Sequence, residues 1–129
     1  MVSIGAMDLM TIMKDYSMKL IIVFAFIVCD IISGLFKAFA NEGYNSSKMR
    51  QGLTHKMGEL FCFLFCVLCD LTLPRLDIML PFSITSGVTV YLVFMEIGSI
   101  IENVGLLNPE IGKYLTGIFE KLKDKHDDQ

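Results

Sequence analysis

The fold of this chain is decided by residues 20–40, which read LIIVFAFIVCDIISGLFKAFA. A helix needs about 20 predominantly apolar residues to cross a bilayer, with a tolerated range of about 17–25, so this stretch is long enough to span one. Two further apolar stretches cover residues 57–73 and 82–101, the former at the lower limit of length. The sequence therefore predicts an all-α integral membrane protein with three transmembrane helices.

The composition of the whole chain agrees with a membrane class. Of 129 residues, 53% are hydrophobic and 19% are charged, and the formal net charge is −3. The short flanks beside three spans leave too few residues for a soluble domain with its own core. Because no nucleophile–base pair, phosphate loop or cofactor motif is present, we expect no enzyme activity, no catalytic residues and no cofactor. Nucleic-acid binding is not expected either, since it needs a clustered basic face.

All four cysteines lie inside the predicted spans. They are Cys29, Cys62, Cys66 and Cys69, and the last three share one helix. We expect small buried thiols rather than a disulfide framework. A metal site built from His55 and the three helical cysteines is excluded, because a straight helix cannot wrap four ligands around one ion.

Amphipathic segments are predicted on both sides of the membrane domain. Residues 1–18 form a helix that is long enough to lie on a membrane and too short to cross it. Residues 19–107 form the three-span domain, in which Pro74 and Pro81 bracket a short connection and so produce a tight hairpin. Residues 108–129 form the C-terminal segment.

That C-terminal segment opens with Asn108, Pro109 and Glu110, which have the order of a helix start. An amphipathic helix follows, and a disordered charged tail is expected from Lys123. A basic amphipathic helix beside a span is typical of a helix on the anionic cytoplasmic leaflet or of a partner-binding helix.

The distribution of lysine and arginine predicts the orientation in the membrane. Seven basic residues lie in the first connection and the C-terminal flank, against three on the opposite side, namely Lys14, Lys19 and Arg75. The positive-inside rule then places the N-terminus outside and the C-terminus in the cytoplasm.

Every span carries an acid where lipid is expected. A carboxylate at the centre of the bilayer costs about 2.5–3.5 kcal/mol on insertion scales, so it faces protein or water. At 100° per residue, the polar residues of each span fall on one side of its helix. The candidate pore residues are the members of these polar stripes: Asp30, Ser33, Gly34, Lys37, Glu59, Asp70, Thr89, Glu96, Ser99 and Asn103.

Two interpretations of the stripes are open. They hold helices together within a protomer, with Gly34 and Ala38 as a small-residue contact, or they line water in an assembly of protomers. Because three helices offer little interior for so many charges, we expect an oligomer or a lumen. A Lys37–Glu59 pair is expected, the alternative being that Lys37 snorkels to the surface. Asp30 has no basic residue at its predicted level.

The chain resembles a known family. The resemblance is carried by DIISGLFKA at residues 30–38, by Ser46, Ser47, Gly52 and Lys56 in the first connection, by EIGSIIEN at 96–103 and by Pro109. In order and spacing, over residues 19–123, these are similar to the phage holins of the toxin-secretion and lysis type, which include the holin-like protein of clostridial toxin loci. Ser33 stands where that family often has threonine.

The resemblance implies a small bacteriophage-encoded protein of the bacterial cytoplasmic (inner) membrane. Such a protein forms homo-oligomers in the lipid bilayer and opens lesions or pores at a set time. The partners it implies are the released endolysin or toxin and an antiholin.

Two other functions remain open. Intramembrane acids also mark proton relays, so Asp30 or Glu96 would serve a small proton-coupled transporter or channel. A transporter is expected to show internal repeats, and the spans show none. The chain also fits an antiholin or membrane adapter whose C-terminal helix binds a partner.

Overall fold

The computed structural model describes residues 6–43 and 45–127. The first five residues of the predicted N-terminal segment, Tyr44 and the last two residues of the tail lie outside the described residues. The main helices are α1 (Ala6–Lys37), α2 (Ser46–Thr72), α3 (Ile84–Leu107) and α4 (Pro109–Asp127). A π-helical turn over Ala38–Glu42 follows α1, and a 3-10 turn over Leu73–Leu76 follows α2.

Helices α1, α2 and α3 are long and apolar enough to cross a membrane, as predicted. The shortest of them, α3, has 24 residues. That is about 36 Å of helix for a hydrocarbon core of about 30 Å. Large apolar side chains cover the outer faces, and Phe24, Phe61 and Phe65 are each more than half exposed. The prediction of an all-helical protein with three helices able to span a membrane is therefore confirmed.

Helix α1 is longer than the predicted first span. It runs without interruption from Ala6 to Lys37, so residues 8–18 continue the span instead of forming a separate helix. Lys19 anchors this extension, because its Nζ lies 2.8 Å from Asp15 Oδ2 and 2.9 Å from Ser86 Oγ at the start of α3.

Both ends of the α1–α2 connection follow from its residue types. Gly43 has a φ of 75°, a backbone conformation that glycine adopts without a steric penalty. Asn45 then caps α2, since its Oδ1 accepts the backbone N–H groups of Ser47 and Lys48 at 3.0 and 3.2 Å.

The predicted hairpin between α2 and α3 is present, and Asp70 closes it. Its carboxylate accepts the backbone N–H groups of Ile84 and Thr85 at 3.0 and 2.8 Å and the hydroxyl of Ser83 at 2.9 Å. A carboxylate at a helix N-terminus satisfies orphan donors and opposes the positive end of the helix dipole. Asp70 is thus bound to the first turn of α3.

The three spans alternate in direction around a small apolar core. Lys19 and Asp30 contact residues near the start and the end of α3, respectively, so α1 and α3 are parallel, while α2 runs against them. Helices α1 and α2 each pack mainly on α3 and hardly touch each other. The buried apolar core comprises Val23, Ile27, Phe63 and Leu92.

Helix α4 doubles back along α3. Asn108 Oδ1 accepts the N–H of Ile111 at 3.3 Å, which confirms the predicted cap. The turn brings Gly112 so close to Gly105 that a Cβ on Gly112 would lie 2.5 Å from the Gly105 Cα. Further along, the ring of Phe94 lies 5.8 Å from that of Phe119.

This packing differs from the prediction in two respects. The amphipathic helix lies along a span instead of on the cytoplasmic leaflet or on a partner, because the Gly105–Gly112 contact allows the two backbones to approach closely. The disordered tail expected from Lys123 is wrong as far as Asp127, because α4 continues to that residue. Lys125 and His126 occupy its last turn, where basic side chains oppose the negative end of the helix dipole.

Candidate functional site

The most distinctive site is a buried charge cluster between α1, α2 and α3, defined by Lys56, Asp30, Glu59 and Glu96. Lys56 Nζ lies 2.8 Å from Asp30 Oδ2 and 2.6 and 2.7 Å from the two Glu96 oxygens. Glu59, one turn along α2, has Oε1 at 3.8 Å from the same nitrogen. One ammonium from α2 therefore joins an acid from α1 to an acid from α3.

The far side of Asp30 is held by amide and hydroxyl groups. Asn103 Nδ2 donates to Asp30 Oδ1 at 3.0 Å and to Ser33 Oγ at 3.0 Å. Ser33 in turn donates to the Asp30 carbonyl at 3.0 Å. These bonds orient the Asp30 carboxylate towards Lys56 and tie α1 to the end of α3. Gly34 completes the contact, since a Cβ there would lie 3.6 Å from Asn103 Nδ2.

The cluster holds more acid than base. Three carboxylates facing one ammonium would carry a net charge of −2 if all were ionised. His55 lies 3.2 Å from Glu59 Oε1, but its side chain is 68% exposed and it counts as a cation only when protonated. Within the described part of the chain, both Glu59 oxygens are buried without a hydrogen-bond partner. The closed packing therefore contains an incompletely satisfied acid.

Burial makes this imbalance energetically important. The Glu96 side chain is 1% exposed, Glu59 5% and Asp30 10%. Although little interior was expected for charges, three of the acids are buried between the helices, because one acid from each helix converges on one lysine. A buried ion pair with good geometry is tolerated, whereas removing one partner is strongly destabilising.

The expected pairing of the charges is also corrected. No ion pair joins Lys37 to Glu59; the ion-pair partners of Glu59 among the described residues are His55 and Lys56. Asp30 does have a basic residue at its level, and it is Lys56. The sequence places Lys56 in the predicted first connection, so it is not among the candidate pore residues. The signal that identifies it is the spacing of three between Lys56 and Glu59, which places both on one face of α2.

The remaining stripe residues do not all join this cluster. Asp70 lies at the opposite end of the bundle, where it caps α3. Thr89 donates its hydroxyl to the carbonyl of Thr85 at 2.6 Å, within its own helix. Lys37 and Ser99 line a cavity beside the cluster. The structure therefore brings six of the ten predicted residues together: Asp30, Ser33, Gly34, Glu59, Glu96 and Asn103.

The fold and the cluster define a class: a small, multi-pass helical membrane protein whose charged groups meet between its spans. Comparison with known families is more specific, since the profile of the Bacteriophage holin family matches residues 9–124. The chain belongs to this family, which confirms the resemblance to phage holins. Searches of curated proteins and of solved structures found no match. The association with clostridial toxin loci stays a prediction.

Proposed function

We propose that this protein is a holin of the bacterial cytoplasmic membrane, which oligomerises and at a set time opens lesions that release an endolysin or a toxin. Membership of the holin family supports this class of function, which is not enzymatic. The observation that carries the mechanism is the charge cluster around Lys56, because acids that would otherwise need water are buried there within a single protomer.

In the proposed mechanism, the structure described above is the quiescent state. Asp30 and Glu96 are held by Lys56, and the polar stripes satisfy one another between the helices. Glu59 is the least stabilised acid of this packing, since its oxygens are buried without a hydrogen bond. Water stabilises an ionised carboxylate far better than an apolar interior does. Opening of the helix contacts would hydrate the excess acids, and the stripes would then line the lesion.

The position of helix α4 supports an oligomeric rather than a monomeric protein. Because it lies along α3, its polar residues, which include Lys113, Glu120 and Lys121, extend beside a membrane-spanning helix. Charged groups at that depth are costly unless they face protein or water. In the proposal, copies of the chain or a lumen supply those surroundings, and the oligomer is part of the mechanism.

The proposed orientation has the N-terminus outside and the C-terminus in the cytoplasm. The alternating directions of α1, α2 and α3 support three successive crossings, and the excess of basic residues supports the assignment of sides. Single cysteines at Asp8, Ser47 and Glu110, which is exposed at the start of α4, test it in a cysteine-free background. An impermeant reagent applied to intact cells should label only position 8; labelling of 47 and 110 instead would reverse the orientation.

A second candidate function is a proton-conducting channel. It is favoured by the exposed His55 beside the buried Glu59, a pair that connects solvent to an acid inside the bundle. Such a channel would dissipate the proton gradient without passing a protein.

Induced expression in a bacterium separates the two functions. Membrane potential, viability and the release of a co-expressed cytoplasmic endolysin are followed over time at known protein levels. A holin should accumulate harmlessly and then cause a sudden collapse of the potential with release of the endolysin. A gradual loss of potential in proportion to the amount of protein, without release, would support the channel and contradict the proposal.

A further inference from the structure

A cavity of about 310 Å³ lies between α1 and α2, next to the charge cluster and at the end of the bundle where the π-helical turn connects the two helices. It exists because α1 and α2 hardly touch each other. Ligand-binding cavities in proteins have volumes of about 300–1,000 Å³, so this one is large enough for a small polar group.

The charged side chains that line the cavity are mainly basic. Lys37 enters from α1, and Lys48 and Lys56 enter from α2. The acid in the lining, Asp30, is already paired with Lys56 at 2.8 Å. Lys37 forms no ion pair with any residue in the described ranges, so its charge is available at the cavity. An anion would therefore be stabilised between the two helices.

Apart from the neutral polar side chains of Asn45, Ser99 and Asn103, the rest of the lining is apolar or small. Leu35 and Leu53 face the cavity from the two helices, and Gly52 leaves open space, with no atom within 4 Å of a Cβ built on it. Beside Lys37 in the sequence, Phe36 and Phe39 are 64% and 67% exposed, as expected of residues that face lipid. The cavity thus combines cationic groups with apolar walls near a lipid-facing surface.

We propose that this cavity binds the phosphate headgroup of an anionic phospholipid. Lys37 and Lys48 would hold the phosphate, and the acyl chains would leave between α1 and α2 along the leucine side chains. Basic pockets between membrane helices bind such headgroups through the same chemistry. A soluble anion would make no favourable contacts with the apolar walls. A zwitterionic lipid would be stabilised less by the lysines, because its headgroup carries a compensating cation.

Native mass spectrometry of the purified full-length protein tests the proposal. Protein from nanodiscs containing equal amounts of phosphatidylglycerol and phosphatidylcholine should retain phosphatidylglycerol preferentially. Lys37→Gln should lower that retention about fivefold, the effect of one lysine near a membrane surface. Gly52→Leu, which fills the cavity without changing charge, should abolish it.

Two matched variants control for nonspecific effects. Gly58→Leu makes the same change at another glycine of α2 that has open space around it, outside the cavity lining. Lys14→Gln removes an exposed charge from α1, also outside the lining. Both should retain phosphatidylglycerol like the wild type.

Three results would overturn the proposal. Equal retention of the two lipids would show that the headgroup is not recognised. Displacement of the lipid by millimolar inorganic phosphate or glycerophosphate would show a site for a soluble anion. Equal losses in Gly52→Leu and Gly58→Leu would show that lipid binds elsewhere on the surface. Binding is measured on the purified protein, so these results do not depend on lesion formation.

Discussion

Replacement of Lys56 by methionine tests the charge cluster most directly. Methionine keeps the length of the side chain and removes the ammonium that lies 2.6–2.8 Å from Asp30 and Glu96. Removing one partner of a buried ion pair costs about 3–5 kcal/mol. At about 1.4 kcal/mol per factor of ten, the quiescent packing would be weakened roughly 100- to 4,000-fold relative to states in which the acids reach water. We therefore expect lesions to open earlier.

The assay is the time from induction to collapse of the membrane potential, measured at protein levels matched by immunoblot. Lys14→Met, which removes an exposed lysine outside the cluster, should keep the wild-type time. Lys56→Met combined with Glu96→Gln should restore part of the delay, because it removes a buried acid together with the base. Wild-type timing of Lys56→Met at matched accumulation would refute the idea that the cluster holds the quiescent state.

If Lys56→Met accumulates poorly, the stability of the purified protein still decides the question. In thermal unfolding in detergent, Lys56→Met should lower the melting temperature, and the double variant should lower it less. A loss in the double variant equal to the sum of the losses in Lys56→Met and Glu96→Gln alone would mean that Lys56 and Glu96 do not interact energetically, contrary to the geometry.

Three further predictions follow from the remaining contacts. Asp70→Ala should lower the free energy of unfolding by about 1–2 kcal/mol in a detergent melt, because it removes the cap of α3. Gly112→Ala should separate α4 from α3, since its Cβ would lie 2.5 Å from the Gly105 Cα, whereas Gly105→Ala places a Cβ at an ordinary 3.7 Å and should not; distances between spin labels on the two helices measure the difference. The effects of Lys37→Met and Glu59→Gln on the distribution of oligomers should add within about 0.5 kcal/mol, because the two residues form no ion pair. Coupling between them would indicate that they meet only after assembly.

The elements of this fold were predictable because their signals are local. An apolar run of spanning length specifies a membrane helix without reference to the rest of the chain. The caps at Asn45 and Asn108 and the proline-bracketed hairpin likewise depend on a few adjacent residues. The candidate acids Asp30, Glu59 and Glu96 were identified for the same reason, since an acid in an apolar run is conspicuous by itself.

The pairing of those acids was decided by the tertiary structure. Lys56 and Glu96 lie forty residues apart, and their contact depends on the rotation and the axial shift of α2 against α3. A single helix carries no information on either quantity. Asp70 illustrates the same point, because it belongs to the predicted stripe of α2 but its partners are backbone groups of α3.

The position of α4 is the clearest case. Its amphipathic pattern and its first residue are evident in the sequence, yet the pattern fits a membrane surface, a partner and a neighbouring span equally well. The choice depends on whether two glycines in separate helices meet, and Gly105 and Gly112 do so only because the turn at Asn108 directs α4 back along α3. Sequence periodicity determines which face of a helix is apolar, whereas close packing in three dimensions determines what that face contacts.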